Sequence, residues 1–286
     1  KGMVNYDPRT DLVRIKPKAF GLVQAFRGEL DYDNLKIHSV IDSFPNATIN
    51  FEKRYMTVRG VEEFDLSDSL RVHIKPDSSV ITLLQNRNIK FDGTINAGNF
   101  EISGKGFTLR YDSFLIDLAQ IDSVNFFVTE KNTRGHEIRR KISNSMVGTD
   151  STAAAAGGIT QKSQKSGTLF ISLPDNKSGK IKLPNFPRLD ASSGGVIYFD
   201  RKEVLDGVYD RSMFFVVPPF KLDSLNDADP ASINFDGTFV SSGMFPPFKE
   251  KLHTQADKSL GFDHPIPEAG YQLYNGDGKM KGIISM

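Results

Sequence analysis

Apolar and polar residues alternate with a period of two along most of this chain. Phe64-x-Leu66, Leu70-x-Val72-x-Ile74, Ile89-x-Phe91, Phe107-x-Leu109-x-Tyr111, Phe114-x-Ile116-x-Leu118, Val124-x-Phe126-x-Val128 and Leu169-x-Ile171-x-Leu173 all follow it. Successive side chains of a strand point to opposite faces, so this period predicts short strands with one buried face. Helical spacing is scarce. Clusters of Asp, Ser, Asn, Gly and Pro separate the runs. Asp92-Gly93, Asp236-Gly237, Gly194-Gly195, Asp206-Gly207 and Asp277-Gly278 read as turns in which Gly supplies a positive φ at little cost. The fold class this predicts is all-β.

Two cassettes recur. Tyr32, Asp33, Leu35, Ile37, Ile41, Asp42 and Ser43 match Tyr111, Asp112, Phe114, Ile116, Ile121, Asp122 and Ser123, 79 residues later with one residue inserted. Ile89, Phe91, Asp92, Gly93, Thr94, Gly98 and Phe100 match Ile233, Phe235, Asp236, Gly237, Thr238, Gly243 and Phe245, 144 residues later with one inserted. Self-similarity points to stacked supersecondary units, and the unequal offsets argue against a strict-period array. The expected architecture is an irregular, parallel β-helix-like solenoid or an extended, repeated β-sheet. The recurrence of Asp-Ser after a buried Ile, at Asp42-Ser43 and Asp122-Ser123, reads as a turn role for the side-chain oxygens. The phenylalanines read as stacked core.

The stretch 143–167 (SNSMVGTDSTAAAAGGITQKSQKSG) is small, polar and Gly-rich, and reads as a loop or linker. It divides a β-repeat segment, 1–142, from a second, 168–286, that continues the same architecture. The later segment carries Pro184, Pro187, Pro218, Pro219, Pro246, Pro247, Pro265 and Pro267, which predicts shorter strands and longer loops there. Just before the linker, Arg134, His136, Arg139, Arg140 and Lys141 read as a solvated charged face.

Composition narrows the chemistry. Lys plus Arg is 36 against 35 Asp plus Glu, so no general polyanion binder and no nucleic-acid partner is expected. Without cysteine, disulfides, thiolate zinc sites, iron–sulfur clusters and cysteine nucleophiles are excluded. The five histidines, His38, His73, His136, His253 and His264, form no HExxH or related spacing, and no nucleophile elbow, Walker A loop or dinucleotide fingerprint occurs. No cofactor is expected, and the reading leans away from an enzyme. The acidic candidates are Asp200, Asp206 and Asp210 with Asp223, Asp227 and Asp229. Oxygen ligands suit hard cations, but none of these spacings is an EF-hand loop, and Asx-turns or strand-end caps account for Asp beside Ser, Asn and Gly. Two carboxylates across a sugar bond are all that glycoside chemistry needs, and sequence spacing does not exclude that. The sequons at Asn46 and Asn176 occur as often as chance allows.

No run of 18 apolar residues exists, the densest being Met213–Pro219, so no transmembrane helix is predicted. The chain opens at Lys1-Gly2-Met3 and ends Gly282-Ile283-Ile284-Ser285-Met286, which suggests a piece of a larger polypeptide.

The wording of IKFDGTINAGNF, GFTLRYDSFLIDLAQIDSV, GVYDRSMFFVVPPFKLDSL and INFDGTFVSSGMFPPF resembles segments of very large, uncharacterised β-rich envelope proteins of Bacteroidota. The resemblance implies periplasm, outer membrane or cell surface and supplies no catalytic residues. A looser, architectural likeness is to the AsmA/TamB group, whose repeated strands form a lipid-lined trough. The expected function is a non-enzymatic structural or interaction segment whose partners are the rest of its own polypeptide and envelope proteins or glycans. The alternatives are a carbohydrate-binding or carbohydrate-active β-helix and a lipid-conduit β-groove.

Overall fold

The computed structural model describes residues 2–18, 20–25, 35–40, 45–67, 69–142, 146–148, 165–200, 205–226, 233–257 and 259–286. Strand follows strand through them. The first stretch holds β1 Gly2–Asp7, β2 Leu12–Pro17, β3 Phe20–Ala25, β4 Leu35–Val40, β5 Ala47–Asn50, β6 Tyr55–Arg59, β7 Phe64–Ser67, β8 Val72–Pro76, β9 Val80–Leu83, β10 Ile89–Ala97, β11 Phe100–Arg110 and β12 Leu115–Leu118. Next come β13 Gln120–Lys131, β14 Glu137–Lys141, β15 Met146–Val147, β16 Gly167–Phe170, β17 Arg188–Ala191, β18 Gly195–Tyr198, β19 Met213–Val217 and β20 Phe220–Leu222. The last stretch holds β21 Asn234–Ser241, β22 Phe248–Thr254, β23 Leu260–Gly261, β24 Asp263–Pro265, β25 Tyr271–Leu273, β26 Gly278–Met280 and β27 Ile283–Ser285. Helix is confined, among the described residues, to single 3-10 turns such as Asp77–Ser79 and Gln85–Arg87. None is long and apolar enough to cross a membrane.

The protein is all-β, but the parallel solenoid expected from the cassettes is not what forms. The described strand pairs are antiparallel, and the sheets do not close. The physical reason lies in the connections. Only Gly98 and Asn99 separate β10 from β11, and only residues 111–114 separate β11 from β12. Such short links can reverse a strand, whereas a parallel return needs a crossover of a dozen residues or more. Among the described residues after β16, only β21 and β22 exceed five residues, as the proline spacing suggested.

Two compact units divide the chain. The first takes Lys1–Asp122, Gly167–Asp190 and Leu222–Asn226; the second takes Ser123–Ser166, Ala191–Lys221 and Asp227–Met286. In the first, one ladder runs β1–β2–β5–β6–β9–β10–β11–β12–β16–β17, and β8, with β7 beyond it, shares the β9 side of β10. The hairpin β3–β4 packs against β7 and β6 with Leu35, Ile37 and Ser39 buried. Strict alternation makes the core: Ile89, Phe91, Ile95, Phe100, Ile102, Phe107, Leu109, Ile116 and Leu118 are buried. Phe91 meets Phe107 edge-on at 5.7 Å and Phe64 at 6.5 Å, the favoured aromatic geometry.

In the second unit the ladder runs β13–β15–β18–β19–β21–β22–β23, with β14 pairing the later part of β13 ahead of β15, and it is joined by the hairpin β25–β26 and the pair β24–β27. Phe199, Phe215, Phe239, Phe245, Phe248 and Phe262 form its aromatic core. Met146–Val147, a strand within the stretch read as a linker, pairs with Ser123–Val124 on one side and Val196–Ile197 on the other.

Two turn readings are corrected. Asp92-Gly93 and Asp236-Gly237 lie inside β10 and β21, and Asp122-Ser123 lies inside β13. At the first, Asp92 accepts the Gly106 N–H at 2.6 Å across a register shift, so the dipeptide closes a β-bulge. A Cβ at Gly93 (φ 145°) would strike the Lys75 carbonyl. At the second the register is unbroken, and glycine is required because the Phe215 ring lies over Gly237. One motif thus serves two packing needs. The turns of the two cassettes are one step later, at Gly98 (φ 58°) and Gly243 (φ 79°).

Candidate functional site

Polar residues at the alternate positions of β7, β8, β10 and β11 share the face of the first unit's sheet opposite the core. Antiparallel register places Asp65 beside His73, His73 beside Asn96, and Asn96 beside Glu101. Two residues along, Lys75, Thr94 and Ser103 form a second row. The Thr94 and Ser103 hydroxyls are hydrogen-bonded at 3.0 Å. The turn Asp77–Ser79, with Ser78 and Ser79 at positive φ, walls one side of a hollow of about 600 Å³. Its lining is Glu63, His73, Lys75, Pro76, Thr94, Asn96 and Glu101 with that turn.

His73 organises the electrostatics. Its Nδ1 lies 2.7 Å from Asp65 Oδ1 and its Nε2 lies 3.1 Å from Glu63 Oε2. Neutral imidazole has one N–H, so only the cation donates to both carboxylates. Partial burial works to lower the His73 pKa, but the hydrogen bonds and charges of Asp65 and Glu63 outweigh it and hold the pKa above the ordinary value. The face therefore mixes fixed acceptors, an ammonium, an amide and hydroxyls.

The second unit holds another polar chain. His264 Nδ1 lies 2.7 Å from Glu250 Oε2, and its Nε2 lies 2.8 Å from the Tyr271 hydroxyl. The imidazole stacks on Phe248 with centroids 3.8 Å apart, and Phe245 and Tyr271 continue the stack nearly parallel. Burial works to raise the Glu250 pKa, yet the Lys251 N–H and His264 hold it below the usual carboxylate range. With the tyrosine donating to Nε2 and Nδ1–H donating to Glu250, every polar atom of the imidazole is satisfied. This arrangement ties β24 and β25 to β22.

The acidic candidates are scattered. Asp200 accepts from Arg211 Nε at 3.0 Å, and Asp210 accepts the Ser212 N–H at 2.8 Å. Asp206 sits exposed in a 3-10 turn with φ 56°. Asp223 stands 3.9 Å from Arg188 Nε. Asp227 and Asp229 lie outside the described residues. Among the described residues no three His, Asp or Glu side chains are grouped to hold a metal.

In the cassettes, Tyr32, Asp33, Ile41, Asp42 and Ser43 lie outside the described residues. Tyr111 and Asp112 open the β11–β12 turn, where Arg87 pairs with Asp112 and covers the Tyr111 ring at 4.9 Å. Ile121 is buried, and Asp122 accepts from Gln120 Nε2 at 2.6 Å. Phe91 and Phe235 are core, and exposed Asp236 stands 3.8 Å from Lys251 Nζ. Both sequon asparagines are buried: Asn46 bonds Ser39 Oγ, and Asn176 bonds Ser172 Oγ and both backbone groups of Ile181.

Sequence reasoning passed over Glu63, Lys75, Asn96 and Glu101, and took Thr94 only as a member of a recurring cassette. Their signal was the polar half of the same period-two pattern, which becomes a site only once strand register is known. No family model, curated protein or solved structure matches the chain.

Proposed function

We propose that the chain is a non-enzymatic structural and interaction segment of a larger cell-envelope protein, residing in the periplasm, the outer membrane or at the cell surface. In this reading the cassettes are units of an extended, repeated antiparallel sheet that presents one polar face to partners. The observation that carries it is the division of the β7–β8–β10–β11 sheet into a closed apolar side and an ordered polar side. Phe91, Phe107 and Phe235 are 3%, 0% and 3% exposed, which favours a packed core around them over an open lipid trough. The neighbouring polar groups engage one another across strands, as in Arg110–Asp117 and His73–Asp65, and from the adjoining loops, as in Arg87–Asp112 and Glu63–His73. Paired side chains of this kind stabilise a sheet and hold its surface in one arrangement.

The location is tested by fractionating cells that make the protein and probing with an antibody raised to this chain. The expected signal is a species much longer than 286 residues in the envelope fraction. A band of this length in the cytosol would overturn the reading. So would hydrolysis of a glycan or ester by the purified chain that His73→Ala or Glu101→Gln abolishes.

A further inference from the structure

We infer that β1 is a dimerisation edge, pairing antiparallel with β1 of a second copy of this chain so that Val4 stands opposite Val4 across a two-fold axis. This goes beyond the segment reading and does not depend on it.

Among the described residues β1 pairs with β2 alone, so its other side is the open end of the first unit's ladder. The phase of the ladder decides which groups that side offers. The Asp11 and Ile15 carbonyls accept the Phe51 N–H at 3.3 Å and the Asn46 N–H at 3.0 Å, so the odd-numbered residues of this strand bond toward β5. Its even-numbered residues, Leu12, Arg14 and Lys16, therefore bond toward β1, where they meet Asp7, Asn5 and Met3. Pro17, which has no N–H, stands opposite Gly2, where none is required. The N–H and C=O groups of Gly2, Val4 and Tyr6 are thereby directed outward. Nothing blunts them: β1 holds no proline, no lysine and no register shift, the usual protections of an edge.

The side chains select the occupant. Register lines up Val4, Ile15, Ala47, Val58 and Ile81 on one face. Ala47, Val58 and Ile81 are buried, Ile15 is half-buried and Val4 is 66% exposed, so this core row runs out of cover at β1. A second copy centred on Val4 continues the row with the same residues in reverse order. That register also brings every outward residue into a bonded pair, because Gly2 of each copy meets Tyr6 of the other. Tyr6 is 53% exposed, edge-on to Phe51 and donating to Asp11, and a glycine opposite it has no side chain to displace the ring. Sliding the copies by one residue puts the bonding groups out of phase, and sliding by two loses a pair. A lipid would cover Val4 and Tyr6 but leave the edge N–H and C=O groups unpaired.

The test is sedimentation of the 286-residue chain between about 5 and 500 µM. A dimer should form with Kd of about 10–300 µM, the weak end expected of one short strand pair. Val4→Lys sets two ammonium groups opposite each other and should weaken it about five- to twentyfold, with melting of the dilute monomer unchanged because Val4 is exposed there. Ile283→Lys, an equally exposed change in the second unit, should leave the dimer intact. The chain has no cysteine, so single cysteines report the register. Residues 3 and 5 of opposite copies form a non-bonded pair about 4.5 Å apart at Cα, close enough for a disulfide. An oxidised mixture of Met3→Cys and Asn5→Cys should therefore cross-link well above either variant alone. A chain that stays monomeric throughout, association indifferent to Val4→Lys, or equal cross-linking by the single variants would each overturn the inference.

Discussion

His264 shows how much one residue can hold together. Its imidazole joins Glu250 on β22 to Tyr271 on β25 and stacks on Phe248, so a short terminal segment gains both directional bonds and aromatic contact. Tyr271→Phe should cost about 0.5–1.5 kcal/mol of stability, the net worth of one hydrogen bond. His264→Ala should cost more, about 1–3 kcal/mol, because it also leaves Glu250 without that partner. Urea titration followed by circular dichroism measures both, and equal stabilities would show the cluster to be incidental. His73 makes a pH prediction. Its folded pKa is raised, so its contribution is fully present below the unfolded value of about 6.5 and is lost as pH rises through the folded value. The stability gap between the protein and His73→Gln should therefore shrink as pH rises from about 5.5 to 8.5. A gap that stays constant across melts in this range would mean that the two carboxylates do not bias the imidazole.

Among the elements, the two Asp-Gly strands carry the clearest contrast. Gly93 and Gly237 sit where a neighbour fills the space of a side chain, Lys75 backbone in one case and the Phe215 ring in the other. Gly93→Ala and Gly237→Ala should each destabilise by about 1–3 kcal/mol through overpacking. Gly243 is different: it has φ 79° but open space around it, so Gly243→Asn should be close to neutral because Asn tolerates this conformation. Thermal melts of the three variants separate steric from conformational causes. Gly237, whose φ is not positive, isolates the steric cause, Gly243 the conformational one, and Gly93 (φ 145°) carries both. A loss at Gly243 as large as that at Gly237 would mean that the approach of Phe215 is not what sets the larger cost. The repeat Ile-x-Phe-Asp-Gly-Thr was legible as recurring structure, but its turn lies four to six residues later. A bulge and a straight strand share the same letters, and what distinguishes them is the partner strand.

For the molecule as a whole, sheet order sets folding speed. Pairing β12 with β16 brings Leu118 to Gly167, and β16 then pairs β17 to bring Thr168 to Asp190. Closing such loops costs entropy before any contact forms, so refolding after dilution from urea should take milliseconds to seconds or longer. Stopped-flow fluorescence of the tyrosines checks this, and a complete microsecond relaxation would contradict the sheet order.

The sequence by itself determined the all-β class, most of the buried set and the shortening of strands in the proline-rich half, because alternation and proline chemistry are local properties of the chain. Leu173, which continues the alternation of Leu169 and Ile171, lies beyond the end of β16 and is exposed. Phe107, Leu109, Ile116 and Leu118 are core for the reason their spacing states. Strand direction, the role of each Asp-Gly and the polar face were decided by tertiary structure. Thr94, Asn96, Glu101, His73 and Lys75 are polar at every second position, which marks them only as solvent-facing. They become neighbours through the register of β8, β10 and β11, and register depends on which distant strands pair, a choice that no local pattern encodes.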